Sequence, residues 1–103
     1  MNPIEWTWDE RKAEANFAKH KLRFSTAIRI FDDPLAVSRP DPHPDANRIQ
    51  TMGSVGSVIL FVVHTWPEQI SDTLIGRVIS ARRASSEERR AYEEGFFEFD
   101  FRR

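Results

Sequence analysis

Arg77-Val78-Ile79-Ser80-Ala81-Arg82-Arg83-Ala84-Ser85-Ser86-Glu87-Glu88-Arg89-Arg90 is the stretch on which the reading of this chain turns. Its first half completes a β-rich run that predicts a strand from Thr73 to Ala81. Its second half opens with Ser85 and has Glu88 three residues on, a capping box that predicts a helix from about Ser86 to Glu94, stopped by Gly95. A strand that runs straight into a basic, capped helix needs a sheet beside it. The preceding residues supply one. Val58 to His64 is apolar on both faces and predicts a central strand covered on both sides. Arg48 to Met52 alternates and predicts a neighbour, with Gly53 to Ser57 as the hairpin turn between them. Leu35-Ala36-Val37 predicts a short strand. Arg39 to Asn47, with Pro40, Pro42 and Pro44, predicts a loop excluded from any ladder. Trp66-Pro67 to Asp72 predicts the turn before the last strand.

Upstream, Asp9 caps a predicted helix from about Glu10 to His20, rich in Ala, Glu, Lys and Arg. Ala13 and Phe17 share one of its faces; Lys12, Asn16, Lys19 and His20 share another. Ser25 caps a second helix, Thr26 to Phe31, which Asp32-Asp33-Pro34 ends. Trp6-Thr7-Trp8 is a short strand or an extended lead-in. The order α-α-β-β-β-β-α predicts an α+β fold: two N-terminal helices packed on a four-stranded antiparallel sheet, followed by a C-terminal helix. We expect one domain over residues 1–95. Residues 96–103 form a tail in which Phe97, Phe99 and Phe101 alternate with charge, an edge strand or a patch for a partner.

A chain of 103 residues with 40% apolar and 12% aromatic content can bury a modest core. It has no cysteine, hence no disulfide framework and no thiolate metal site. No apolar run approaches the roughly 20 residues of a membrane span, and Met1 to Asp9 does not read as a secretory signal, so we expect a cytoplasmic protein with no membrane partner. A net charge of -1 is unusual for a nucleic-acid binder, but the charge is segregated. Asp9 to Phe31 carries Arg11, Lys12, Lys19, Lys21, Arg23 and Arg29 against three acids, and acid gathers around Asp32, Asp33, Asp41 and Asp45.

Several blocks recur together in a known family. Trp8-Asp9, Lys12-Ala13, Asn16, Lys19-His20, Phe24, Phe31-Asp32-Asp33-Pro34, Arg48, Gly53 and Val62-Val63-His64-Thr65 are followed by Arg77 to Ala84, Glu88-Arg89 and Tyr92. Over about residues 6 to 93 this ordered set resembles the BrnT toxins. The family usually has Gly-Val after the Lys-His pair, where this chain has Lys21-Leu22, a departure that bears on the turn between the first two helices. The resemblance implies a RelE-like fold and the toxin half of a type II toxin–antitoxin pair. It also implies an RNA endonuclease that works without a metal, inhibiting translation and growth. The implied partner is a ribbon-helix-helix antitoxin of the BrnA kind, with promoter DNA reached only through that antitoxin.

The residue types suit that chemistry. Arginine grips phosphate oxygens with a planar fork that stays charged, and Glu or His can move protons. Arg77, Arg82, Glu88 and Arg89 are therefore the catalytic candidates, with Glu88 also the capping partner of Ser85. Lys12, Lys19, His20, Arg48 and His64 are the candidates for RNA binding. Each has a plainer reading: solvated charges for the lysines and arginines, a rim histidine for His64, a dipole-favoured cation for His20. His20, His43 and His64 are too scattered for a zinc signature and no HExxH occurs, so no cofactor is expected. Two other functions fit the pattern: a noncatalytic module that binds protein through its sheet edge and Phe-rich tail, and a nucleic-acid-binding regulator.

Overall fold

The computed structural model describes residues 4–43 and 47–95. The expected Phe-rich tail lies outside the described residues. The chain opens with strand β1 (Ile4–Thr7), helix α1 (Glu10–His20) and a short helix α2 (Phe24–Ala27) that tightens into a 3-10 turn (Ile28–Asp32). Strands β2 (Val37–Pro40), β3 (Arg48–Val55), β4 (Val58–Thr65), β5 (Glu68–Ile70) and β6 (Thr73–Arg83) follow, and helix α3 (Ser86–Glu94) closes the described chain.

The sheet corrects the four-stranded antiparallel expectation. It has six strands in the order β1-β6-β4-β3-β2, with β5 also on β6, and it is mixed because β1 runs parallel to β6. One of the two N-terminal helices is a single turn, so the layer over the sheet is α1, α2 and the 3-10 turn. Ile4-Glu5-Trp6-Thr7 is too short to announce a strand, and its partner lies about seventy residues on, a pairing that local patterning cannot show. Trp6 identifies the constraint: its ring lies over Gly76, where a Cβ would sit 2.4 Å from the indole.

Other boundaries moved for similar reasons. Gly53 is in β3 and not in a turn, because Ile30 lies directly on it; a Cβ there would be 2.7 Å from the Ile30 Cβ. The hairpin turn is only Gly56-Ser57, with Gly56 at φ +62. Arg39 and Pro40, expected in a loop, pair with Gln50 and Ile49. Proline is tolerated there because β2 is the outermost strand, where a missing donor breaks no ladder. Ser25 does not cap α2; Arg23 holds the cap position, without a side-chain bond.

The core lies between the helical layer and one face of the sheet. Phe24, Ala27 and Ile30 pack on Leu60, Val62, Val78 and Ala81, all at or below 1% exposure. Each large apolar side chain buried there contributes roughly 1.5–3 kcal/mol. Opposite Val63/His64 the β4–β6 register shifts, leaving Ile79 unpaired as a bulge.

α1 is fixed by a polar contact. Asn16, buried at 9%, donates from Nδ2 to the Ala81 carbonyl at 2.8 Å and accepts from the Ala81 N–H at 3.1 Å. Its amide thus pairs with β6 as a neighbouring strand would, beyond the reach of β1. Nδ2 also donates to the Leu22 carbonyl at 3.1 Å, tying in the chain that leaves α1. That exit is strained: Lys21, not glycine, adopts the left-handed conformation at φ 57, ψ 34.

Two outcomes follow for stability in urea melts. Asn16→Ala leaves the Ala81 N–H and carbonyl unsatisfied and should lower stability by about 2 kcal/mol; a loss too small to resolve would contradict the pairing. Lys21→Gly relieves the left-handed strain and should raise stability by roughly 0.5–1 kcal/mol; a destabilised variant would contradict the assignment of strain.

Candidate active site

Strand parity sorts the arginines. Val78 is core and Gly76 lies under Trp6, so Arg77 projects from the face of the sheet turned away from the helical layer. By the same register Arg39, Arg48 and Arg82 project from that face too. Four strands therefore bring four arginines to one surface, and α3 folds back against β3 on the same side. Residues buried between them include Gln50, Met52 and Phe61.

Arg82 is the most constrained of the four. Its guanidinium stacks on the Phe61 ring, 4.2 Å from the centroid. Its Nη1 and Nη2 donate to the two Glu88 carboxylate oxygens at 2.8 and 2.9 Å, and Nη1 also donates to the Arg83 carbonyl at 3.1 Å. The Nε–H and the second Nη2 hydrogen, which share the remaining edge of the plane, have no partner among the described residues. That edge is a bidentate fork of the kind that receives a phosphate or carboxylate.

Glu88 holds the other side. As expected it closes the capping box: its carboxylate accepts the Ser85 N–H at 2.8 Å, while Ser85 Oγ accepts the Glu88 N–H. Burial pushes the Glu88 carboxyl up, but the bonds from Arg82 and Ser85 outweigh it and hold it below the usual carboxylate range. The Glu88 bond correspondingly raises Arg82. Neither is poised to exchange a proton near neutrality; the pair is built to fix a charge in place.

Across the sheet, Arg39 Nε donates to Gln50 Oε1 at 2.6 Å, and Gln50 Nε2 donates to Asp41 Oδ2 at 2.8 Å. Burial lowers the Arg39 pKa, against the opposing pull of Glu88 and Asp41. Sequence reasoning missed Arg39, Gln50 and Phe61. The alternation of Val37 with Arg39 was a signal, obscured by the prolines that follow.

The other candidates are dispersed. Arg77 lies at the far end of β6, five residues or about 16 Å from Arg82 at 3.3 Å per residue. Its N–H is bonded to Thr65 Oγ1. Arg48 shares that end, opposite Thr65, and its Nε is buried with no hydrogen-bond partner among the described residues. Arg89 is exposed on α3, one position round from the stripe of Glu88 and Tyr92 that meets the body. Lys12 and Lys19 are exposed on α1, with half-buried His20 at its end, and flank the Asn16 contact. They line the edge of β6 and do not cover the sheet's arginine face.

His64 is 5% exposed, on the core side. Nδ1–H donates to the Thr65 carbonyl, and Nε2 accepts from Thr51 Oγ1 at 2.6 Å, which itself meets Ser38 Oγ at 2.7 Å. Trp6 and Phe31 pack edge-on against the ring. Burial lowers its pKa despite the Thr65 bond, so the ring is neutral. Among the described residues no three His, Asp or Glu side chains group as metal ligands.

α3 has no buried residue, and a second anchor compensates. Tyr92 donates its hydroxyl to Asp33 Oδ2, which also accepts the Ser54 N–H at 2.8 Å, while Oδ1 accepts the Leu35 N–H at 2.9 Å. Desolvation raises the Asp33 carboxyl, but the bonds from Tyr92, Ser54 and Leu35 prevail and bring it to about 2.

A family model described as ribonuclease toxin, BrnT, of type II toxin–antitoxin system matches residues 8–88, a span that includes Arg39, Gln50, Phe61, Arg82 and Glu88. No curated protein matches the chain.

The Asp33 anchor has a pH signature. Its folded pKa of about 2 lies below the ordinary 3.8, so its stabilisation is complete above pH 4 and disappears as pH falls through about 2. Tyr92→Phe should raise the Asp33 pKa in a carboxyl NMR titration and make acid unfolding begin at higher pH. An unchanged titration would contradict the anchor.

Proposed function

We propose, from the premise that this chain belongs to the BrnT family, the ribonuclease toxins of type II toxin–antitoxin systems, that its arginine face is where RNA is cut, without a metal. The observation that carries this reading is the open edge of Arg82, locked by Phe61 beneath and Glu88 beside it.

The chemistry asks little of proton transfer. The 2′-oxygen of one nucleotide attacks the adjacent phosphorus and loses its proton to water. The P–O5′ bond breaks, the 5′-oxygen takes a proton from water, and a 2′,3′-cyclic phosphate remains. Negative charge builds on the non-bridging oxygens on the way. A fixed guanidinium beside them stabilises that charge without reorganising. Glu88 acts as a positioning residue: it aims the Arg82 fork and, through the capping box, aligns α3 with it. Arg48 and Arg77 extend the positive face along the strands for neighbouring phosphates, and Lys12, Lys19, His20 and Arg89 offer further contacts at its margins. His64, in this reading, supports the sheet beneath the face. Cleavage of RNA in the cytoplasm accounts for arrest of translation and growth.

Family membership brings an antitoxin partner. We assign it the ribbon-helix-helix class of the BrnA kind, with promoter DNA contacted only through it. No helix among the described residues is long and apolar enough to cross a membrane.

Arg82→Ala should slow cleavage of a short RNA by roughly 10²–10³-fold in a gel assay, and Arg82→Lys should recover little because the fork is lost. Wild-type cleavage should persist in EDTA. An Arg82→Ala variant as active as wild type would contradict the site, and abolition by EDTA would contradict metal independence.

A further inference from the structure

We propose that Arg39 is a second catalytic residue, gripping the scissile phosphate from the side opposite Arg82, with Gln50 as its positioning residue. This rests on the reading that the arginine face cuts RNA.

Three observations point to it. The first is placement. Arg39 and Arg82 project from the same face, on β2 and β6, with β3 and β4 between them and one residue pair of offset. Strand spacing puts their Cα atoms about 16 Å apart. Two long side chains leaning inward over Met52 and Phe61 leave a gap of a size to be filled by one phosphate. Glu88, bonded to Arg82, is also the leading charge acting on Arg39, so both guanidiniums border the same spot.

The second is the way Arg39 is held. Its Nε is committed to Gln50, so substrate would meet its terminal nitrogens, whereas Arg82 offers its Nε edge. Gln50 is itself only 8% exposed and fixed by Asp41. A buried amide dedicated to orienting one guanidinium is a costly way to decorate an outer strand.

The third is electrostatic. Arg39 is partly desolvated, and its bonds to Gln50 and the nearby acids do not restore its ordinary pKa. An apolar side chain would cover Met52 without that penalty. A phosphate between the two arginines supplies the missing negative charge, and supplies more of it as the pentacovalent transition state forms.

The test is single-turnover cleavage of a short RNA oligonucleotide by the full chain and its Arg39→Ala, Arg39→Lys, Gln50→Ala and Arg82→Ala variants. Binding of a 2′-deoxy version of the same oligonucleotide is followed by fluorescence anisotropy, and folding by Tm. Arg39→Ala should cut on the order of 10²-fold more slowly at saturating RNA, with binding weakened much less. Free guanidinium should partly restore Arg39→Ala and leave wild type unaffected. Gln50→Ala should lose about tenfold in rate at saturating RNA. If Arg39→Ala cuts like wild type while Arg82→Ala does not, this inference falls and the RNA-cleaving face stands. A slow Arg39→Ala variant with a collapsed Tm and no guanidinium rescue would make Arg39 structural and overturn the inference as well. A well-folded wild type that neither binds nor cuts RNA would overturn both readings.

Discussion

The carboxylate of Glu88 joins the two halves of this protein's chemistry. It accepts from the Ser85 N–H, which starts α3, and from both terminal nitrogens of Arg82, which ends β6. One side chain therefore sets the direction of a helix with no buried residue and the orientation of a guanidinium on an open sheet face. Such an arrangement works only if β6 itself is fixed. It is fixed by unlike contacts: β4 on one edge, β1 and the Asn16 amide on the other, and Trp6 seated over Gly76. The sheet is a rigid plate; α3 is a polar arm clipped to it at Glu88 and Tyr92.

The two faces of that plate divide the labour. One is closed by Phe24, Ala27 and Ile30, and it keeps His64 neutral inside a relay with Thr51 and Ser38. The other gathers Arg39, Arg48, Arg77 and Arg82, so a chain of net charge -1 has a strongly positive surface in one place. Electrostatic attraction of a polyanion depends on such local fields more than on the sum. Arg82 and Glu88 are both held in their charged forms, which favours fixed charge stabilisation over proton shuttling as their contribution.

Much of this was legible in the sequence where the cause was local. The bounds of α1 and α3 follow from Asp9, Ser85, Glu88 and Gly95, because caps are short-range hydrogen bonds. The pairing of Arg82 with Glu88 was within reach of the same reasoning. What escaped it depends on contacts between distant residues. β1 exists as a strand because β6 offers an edge, β5 because β6 is long, and β2 because an outermost strand tolerates Pro40. Losing β2 also lost Arg39. Asn16 shows the opposite error: grouped with Lys12, Lys19 and His20 by helical spacing, it is the buried member, and its neighbours straddle the contact.

The central claim is that the fixed edge of Arg82 receives the scissile phosphate. Side-chain ¹H–¹⁵N spectra of the arginines, recorded while an uncleavable 2′-deoxy-substituted RNA oligonucleotide is added, examine it directly. The account predicts that the Arg82 Nε–H resonance moves farthest and becomes slow to exchange with water. A spectrum in which Arg82 Nε–H stays fixed while shifts gather on the lysines of α1 would contradict it.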